Sequence, residues 1–163
     1  MADSSFDIVS EINHQELNNA LDQTRKELST RYDFKGIIAE IKLDDNQLTI
    51  TVPDEYKFKA LMEIIHSKMI RRGLDLNILG EQKTEPASGG SIRTVIKLIE
   101  GIDQESAKKI NKLIREQLPK IKTVIQGDTI RVSSKSRDEL QSVMQLLKAN
   151  SGLNLPLQFI NYR

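Results

Sequence analysis

The densest group of side chains with binding chemistry is Arg31-Tyr32-Asp33-Phe34-Lys35-Gly36, where two aromatic rings alternate with two cations. An aromatic face can stack on a nucleobase, and a guanidinium or ammonium beside it can meet a phosphate. The same rings could instead close a hydrophobic core beneath the end of a helix, and the spacing alone leaves both readings open. A second cluster, Lys68, Arg71 and Arg72, stands just before Gly73. Cations there suit the C-terminal end of a helix whether or not they also meet a ligand. Together Arg31, Tyr32, Phe34, Lys35, Lys68, Arg71 and Arg72 form the candidate nucleotide-binding set.

Catalytic patterns are not found. The two histidines, His14 and His66, belong to no H-E-x-x-H motif, and the chain has no cysteine to act as thiolate nucleophile or metal ligand. Gly89-Gly90-Ser91 precedes a strand pattern, so it lacks the helix N-terminus that would cradle a phosphate and reads as linker. Asp44 and Asp45 are adjacent acids in a hairpin turn, which is ordinary turn chemistry. The sequence therefore predicts a binding protein, with no catalytic residue, no cofactor and no metal.

The elements that must position these residues follow from periodicity. Phe6 to Ile12 reads as a strand, and Leu17, Ala20, Leu21, Thr24 and Leu28 follow at helical spacing behind Asn13 as N-cap. Ile37 to Leu43 and Leu48 to Val52 alternate around Asp44-Asp45-Asn46, a hairpin. Asp54 opens a helix carrying Phe58, Leu61, Met62, Ile65 and Met69, closed at Gly73, and a strand runs from Leu74 through Ile78. The same order recurs: a strand at Ile92 to Ile99, a helix from Asp103 to Leu118, a hairpin around Gln126-Gly127-Asp128, a helix opened by Ser136, and a strand at Leu157 to Tyr162. Superposing the halves sets Ile12 on Ile102, Asn13 on Asp103, Ile50 on Ile130 and Met62 on Met144.

Each half is a βαββαβ unit, so the predicted class is α+β: two tandem ferredoxin-like domains, each a four-stranded antiparallel sheet with two helices on one face. The linear division places the first unit at 1–82, a connector rich in Gly, Ser and Pro at 83–91, and the second unit at 92–163. Function is expected on the open sheet faces. They lack the aromatic pattern of an RNA-recognition sheet but offer Arg93, Lys97, Lys122 and Arg131 at alternating strand positions, and Lys108, Lys112 and Arg115 form a helical stripe. Each of these cations is also a normal solvated residue.

Charge sets further bounds. The 163 residues carry a formal net charge of +1, which argues against attachment to nucleic acid by bulk charge alone. Residues 1–23 are purely acidic (Asp3, Asp7, Glu11, Glu16, Asp22), whereas 105–137 hold nine basic residues against three acidic ones. Such asymmetry fits either an anion-binding face or a solvated surface. No apolar run is long enough to span a bilayer and no signal peptide is evident, so a cytoplasmic protein without membrane association is expected.

Four blocks carry a family resemblance: Ser5-Phe6-Asp7-Ile8-Val9-Ser10-Glu11, Glu27-Leu28-Ser29-Thr30-Arg31-Tyr32-Asp33-Phe34-Lys35-Gly36, Lys68-Met69-Ile70-Arg71-Arg72-Gly73 and Leu157-Gln158-Phe159-Ile160-Asn161-Tyr162-Arg163. In this order, over the whole chain, they resemble the bacterial YajQ family. The resemblance implies tandem ferredoxin-like, RNA-binding-like domains that exchange their N-terminal strands, giving one domain at 13–99 and another from 1–12 plus 100–163. It also implies nucleotide binding, in some members of cyclic di-GMP with a regulatory protein partner, and no established enzymatic activity. The family commonly has Trp where this chain has Tyr32, a smaller ring that can still stack. The competing expectation from the residues is a protein-interaction module whose open sheets dock another protein.

Overall fold

A computed structural model describes residues 3–150, 153 and 155–163. In chain order the elements are β1 (Ser4–Val9), α1 (His14–Thr30), β2 (Glu40–Leu43), β3 (Gln47–Val52), α2 (Glu55–Arg71), β4 (Leu79–Pro86), β5 (Ile92–Leu98), α3 (Gln104–Gln117), β6 (Lys122–Gln126), β7 (Thr129–Ser134), α4 (Arg137–Ala149) and β8 (Gln158–Ile160). The four α-helices among the described residues begin where a short polar side chain can take up an orphan amide. Asn13, Asp54, Asp103 and Ser136 accept from the backbone N–H groups of Glu16, Lys57, Ser106 and Glu139. Gly73, at φ 75°, ends α2 in a left-handed turn in which the Leu74 N–H donates to the Met69 carbonyl at 3.0 Å.

The strands form two four-stranded sheets, β2-β3-β5-β4 and β6-β7-β1-β8, with every neighbouring pair antiparallel. Each has the ferredoxin-like order, and the α+β class read from the sequence is the observed one. The strand β1 lies between β7 and β8, while β5 lies between β3 and β4. The compact units are accordingly Ile12–Ile99 and Met1–Glu11 with Glu100–Arg163.

This corrects the linear division at 83–91. Residues 83–86 are part of β4, where Thr84 and Thr94 hydroxyls meet at 2.9 Å and Glu85 pairs with Arg93 at 3.5 Å. Only the turn after Pro86 remains of the expected connector, closed by the Ala87 N–H on the Ser91 carbonyl at 2.8 Å, with Gly89 and Gly90 both at positive φ. An edge strand buries little, so its polar residues imitate a linker. Two smaller differences concern where strands start. Residues 76–78, expected as strand, form a 3-10 turn behind Asp75, and the strand expected from Ile37 begins at Glu40.

The core of the Ile12–Ile99 unit follows the two periods. Leu48, Ile50 and Val52 alternate inward along β3, opposite Leu17, Ala20 and Leu21 of α1 and Leu61, Ile65 and Met69 of α2. In the other unit Phe6 and Ile8 of β1 and Ile130 and Val132 of β7 are buried with Ile110, Ile114, Val143 and Leu147.

Polar pairs pin the open sheet faces. Asp7 lies opposite Arg131 in register, and its carboxylate accepts from the Arg131 guanidinium at 3.0 Å and from the Asn161 amide at 2.8 Å. The Arg131 hydrogen bond, helped by Asn161 against the opposing effect of burial, holds the Asp7 carboxyl below the usual carboxylate range. A depressed native pKa contributes stability above the unfolded value, near pH 4, that is lost as pH falls through the native one. Denaturant midpoints measured at neutral pH and at about pH 3 should therefore converge in Asp7→Asn relative to the parent; parallel acid sensitivity in the two proteins would remove Asp7 as the cause.

Candidate functional site

Six of the seven residues singled out in the sequence lie on the helix layer of the Ile12–Ile99 unit, and the seventh, Phe34, lies beneath it. None of the seven belongs to a strand, so the set lies at helix ends, where the sequence placed it, and apart from the open sheet faces. The end of α1 sets the local geometry. The helix α1 stops at Thr30, Arg31 turns extended (φ −77°, ψ 133°), and Tyr32–Phe34 make one 3-10 turn. Lys35 and Ile37 N–H groups donate to the Tyr32 and Phe34 carbonyls at 3.1 Å each, and Gly36 supplies the positive φ that releases the chain toward β2.

The turn separates the two aromatics. Phe34 is buried and joins the core, so for this ring packing prevails over stacking. Tyr32 points the other way and is 90% exposed, with no packing role that could explain the ring. Lys57, from the first turns of α2, donates to the Asp33 carbonyl and lies 5.1 Å from the Phe34 ring centre and 5.9 Å from that of Tyr56. Tyr56 is itself 78% exposed. The corner thus presents two solvent-facing tyrosines together with Lys35 and Lys57.

The remaining cations are largely committed to carboxylates. Arg31 grips Asp33 with two nitrogens, at 2.9 and 3.0 Å, and reaches Glu27 at 3.3 Å. Lys68 meets the same Glu27 at 3.0 Å. Glu27 is held below its ordinary range by the Lys68 hydrogen bond and then by Arg31, and Asp33 is lowered by Arg31; Arg31 is correspondingly raised, by Asp33 first. Two positive and two negative side chains therefore form a near-neutral group, which favours ordering the turn over presenting free charge to a phosphate.

Arg72 makes a different bond, to Glu16 at 3.2 Å. Glu16 belongs to the first turn of α1, whereas Arg31 follows its last turn, so α1 and α2 run antiparallel and the seven residues do not converge. At about 1.5 Å per residue, Lys57 and Arg71 are about 21 Å apart along α2. Arg71 is exposed at the far end, away from Tyr32 and Lys35. The structure brings Arg31 and Lys68 together through Glu27, keeps Tyr32 and Lys35 beside them, and sets Arg71 and Arg72 apart.

The proposed cation tracks on the sheets are also modified. Arg93 and Arg131 carry cross-strand carboxylate partners, Glu85 and Asp7. In the helical stripe Lys112 has Glu116 at 4.0 Å. Tyr56 and Lys57 were not distinguished by the sequence, because they enter the corner only through the packing of α2 against α1. The Glu27–Arg31 pair, by contrast, is readable as an i, i+4 contact. Among the described residues no group of three or more His, Asp or Glu side chains is arranged to hold a metal ion, and no helix is long and apolar enough to cross a membrane.

Two ferredoxin-like units, one contiguous and one completed by the N-terminal strand β1, define a tandem α+β protein with an exposed aromatic and cationic corner beside the helices of the contiguous unit. Residues 4–163 match the family described as nucleotide-binding protein YajQ-like. The chain belongs to the YajQ family. A relative from Roseiflexus castenholzii named nucleotide-binding protein is 47% identical over 163 residues, covering 99% of each chain. Relatives of the same name from Alkaliphilus oremlandii (45% over 161 residues, 99% of this chain and 98% of the relative) and Trichodesmium erythraeum (46% over 160 residues, 98% of each) are similar over the same span.

Proposed function

We propose that this protein binds a nucleotide through the corner after α1 and acts as a non-catalytic effector. The ligand class is a cyclic dinucleotide such as cyclic di-GMP or a short single strand of nucleic acid, and the effector role implies a regulatory protein partner. Family membership and the names of the relatives support a nucleotide as the ligand, without choosing among these. The observation that carries the site is the 90% exposure of the Tyr32 ring on a turn whose neighbours are fixed by ion pairs. An exposed ring on a rigid support can stack a base with little ordering cost, while Lys35 and Lys57 stand near enough to meet its phosphate.

Isothermal titration with cyclic di-GMP and with a short single-stranded RNA, each at low and moderate salt, tests this. Removing a stacking ring costs about 1–3 kcal/mol per base, so Tyr32→Ala should weaken binding by about 5- to 150-fold. Arg71→Ala, at the other end of α2, should bind within about twofold of the parent, because an exposed charge at that distance is largely screened. Parent-like affinity in a folded Tyr32→Ala protein would sink the site. Dinucleotide binding that survives salt indicates a formed pocket, and RNA binding that fades steeply with salt indicates phosphate tracking. Binding of neither ligand would favour the protein-docking alternative.

A further inference from the structure

The other unit holds a pocket of about 250 Å³ between the start of β1, the first turns of α4 and residues 162–163. Its lining combines apolar residues, Leu140 and Met144 one turn apart on α4, with Tyr162. The other lining residues are polar or charged: Arg137, Arg163, Gln141, Ser4 and Ser5. None of these residues belongs to the corner on the helix layer of the Ile12–Ile99 unit.

The walls are fixed in place. Asn161 adopts a positive φ of 56° while its side-chain amide donates to Asp7, which turns the chain across the end of β1. Arg163 then exchanges two backbone hydrogen bonds with Ser5, at 2.9 and 3.0 Å. Tyr162 rests 6.1 Å from the Phe6 ring centre, with its hydroxyl 3.9 Å from the Met144 sulfur. On the opposite wall Arg137 and Gln141 are an i, i+4 pair, so both project from the same side of α4.

The arginines of the pocket differ from the paired ones elsewhere, a property they share with Arg71 and Arg115. Arg31, Arg72, Arg93 and Arg131 all have carboxylate partners within 4 Å. Among the described residues Arg137 and Arg163 have none. The Arg163 charge is felt by Asp7, but both Asp7 oxygens are already engaged by Arg131 and Asn161. Of the acids in the first turn of α4, Glu139 is drawn to the Ser134 hydroxyl at 2.6 Å, and neither it nor Asp138 lines the pocket.

We propose that this pocket is a second ligand site, taking a small phosphate monoester that carries a flat ring, of the size of a nucleoside 5′-monophosphate. The two guanidiniums offer paired N–H donors to a phosphate. The Tyr162 ring and the Met144 thioether offer a soft apolar bed for a base, and Gln141 can both donate to and accept from its polar edge. A volume of about 250 Å³ lies just below the roughly 300 Å³ at which ordinary small-molecule pockets begin, which favours one small ring-bearing phosphate over a dinucleotide. The proposal is independent of the role given to Tyr32.

Titration of the full chain with GMP, guanosine and inorganic phosphate, each alone, tests it. GMP should saturate, and Arg137→Ala and Arg163→Ala should each weaken it about tenfold or more, the loss expected for charge-assisted hydrogen bonds. Both variants should melt with the parent, and Tyr32→Ala should leave GMP affinity unchanged. Failure of GMP to bind, or equal binding to the parent and both arginine variants, would overturn the site. Inorganic phosphate binding as tightly as GMP would overturn the ring-binding half. Loss of GMP binding in Tyr32→Ala but not in Arg137→Ala would also overturn it, while leaving the proposal for Tyr32 intact.

Discussion

Phe6→Ala is expected to destabilise the sheet built from residues 122–160 by about 3–5 kcal/mol while leaving the Ile12–Ile99 unit near its parent stability. Phe6 is fully buried on β1, edge-on to Phe159 at 5.5 Å and close to Tyr162, and its strand is hydrogen-bonded on both sides. Truncating the ring removes apolar area and leaves a cavity at the centre of a sheet that cannot collapse without moving two ladders. Because a small domain has only about 5–15 kcal/mol in total, the loss is a large share of that stability. Hydrogen exchange followed by peptide should show lost protection in β6, β7 and β8 with α2 and β3 still protected. Equal loss in both units, or loss confined to residues 12–99, would contradict the assignment of β1.

Ile96→Ala should give the reciprocal result, with about 2–5 kcal/mol lost from the Ile12–Ile99 unit. Ile96 is fully buried on β5, lies opposite Leu48 in register with β3 and belongs to the same cluster as Leu61 and Ile65. Its position suggests membership of the second sequence repeat, so a division of the chain at 83–91 would instead place its effect on β7 and α4. Denaturant unfolding monitored by exchange in β2 and β3 separates the two possibilities, and protection retained there would overturn the pairing of β5.

The fold was legible because its elements are regular. Period-2 alternation in Leu48, Ile50 and Val52, helical spacing in Leu17 and Leu21, and four short polar caps all carried their signal locally. Strand partnership did not. Nothing between Ser4 and Val9 distinguishes pairing with β7 from pairing with β3, since both offer an inward aliphatic row. The exchange entered the sequence reading only through family resemblance. The edge strand β4 was obscured for the opposite reason, because a strand that buries little looks like a loop.

Legibility of the corner was uneven. The composition of Arg31 to Lys35 marked the right turn, yet no local pattern could assign Phe34 to the core and Tyr32 to solvent, since that depends on where α1 ends and which way the 3-10 turn rolls. The carboxylate partners of Arg31, Lys68 and Arg72 had no place in the sequence reading, because Glu27, Asp33 and Glu16 meet them partly through the antiparallel packing of α1 and α2. The same packing admitted Lys57 and Tyr56, which have no signature of their own.

The Ser10 carbonyl accepts from the Gly101 N–H at 2.5 Å, so the contiguous unit is spliced into its neighbour between two residues that touch. On a ribosome this has a consequence for timing. Of the described strands β1 is made well before its partners β7 and β8, whereas residues 12–99 have all four strands of their sheet once β5 is out. The inserted unit then acts as a clasp. By folding it draws positions 10 and 101 together and shortens the loop that β1 must close, and each halving of such a loop lowers the entropic cost by about 0.6 kcal/mol. Synthesis order and topology therefore make the middle of the chain the chaperone of its two ends.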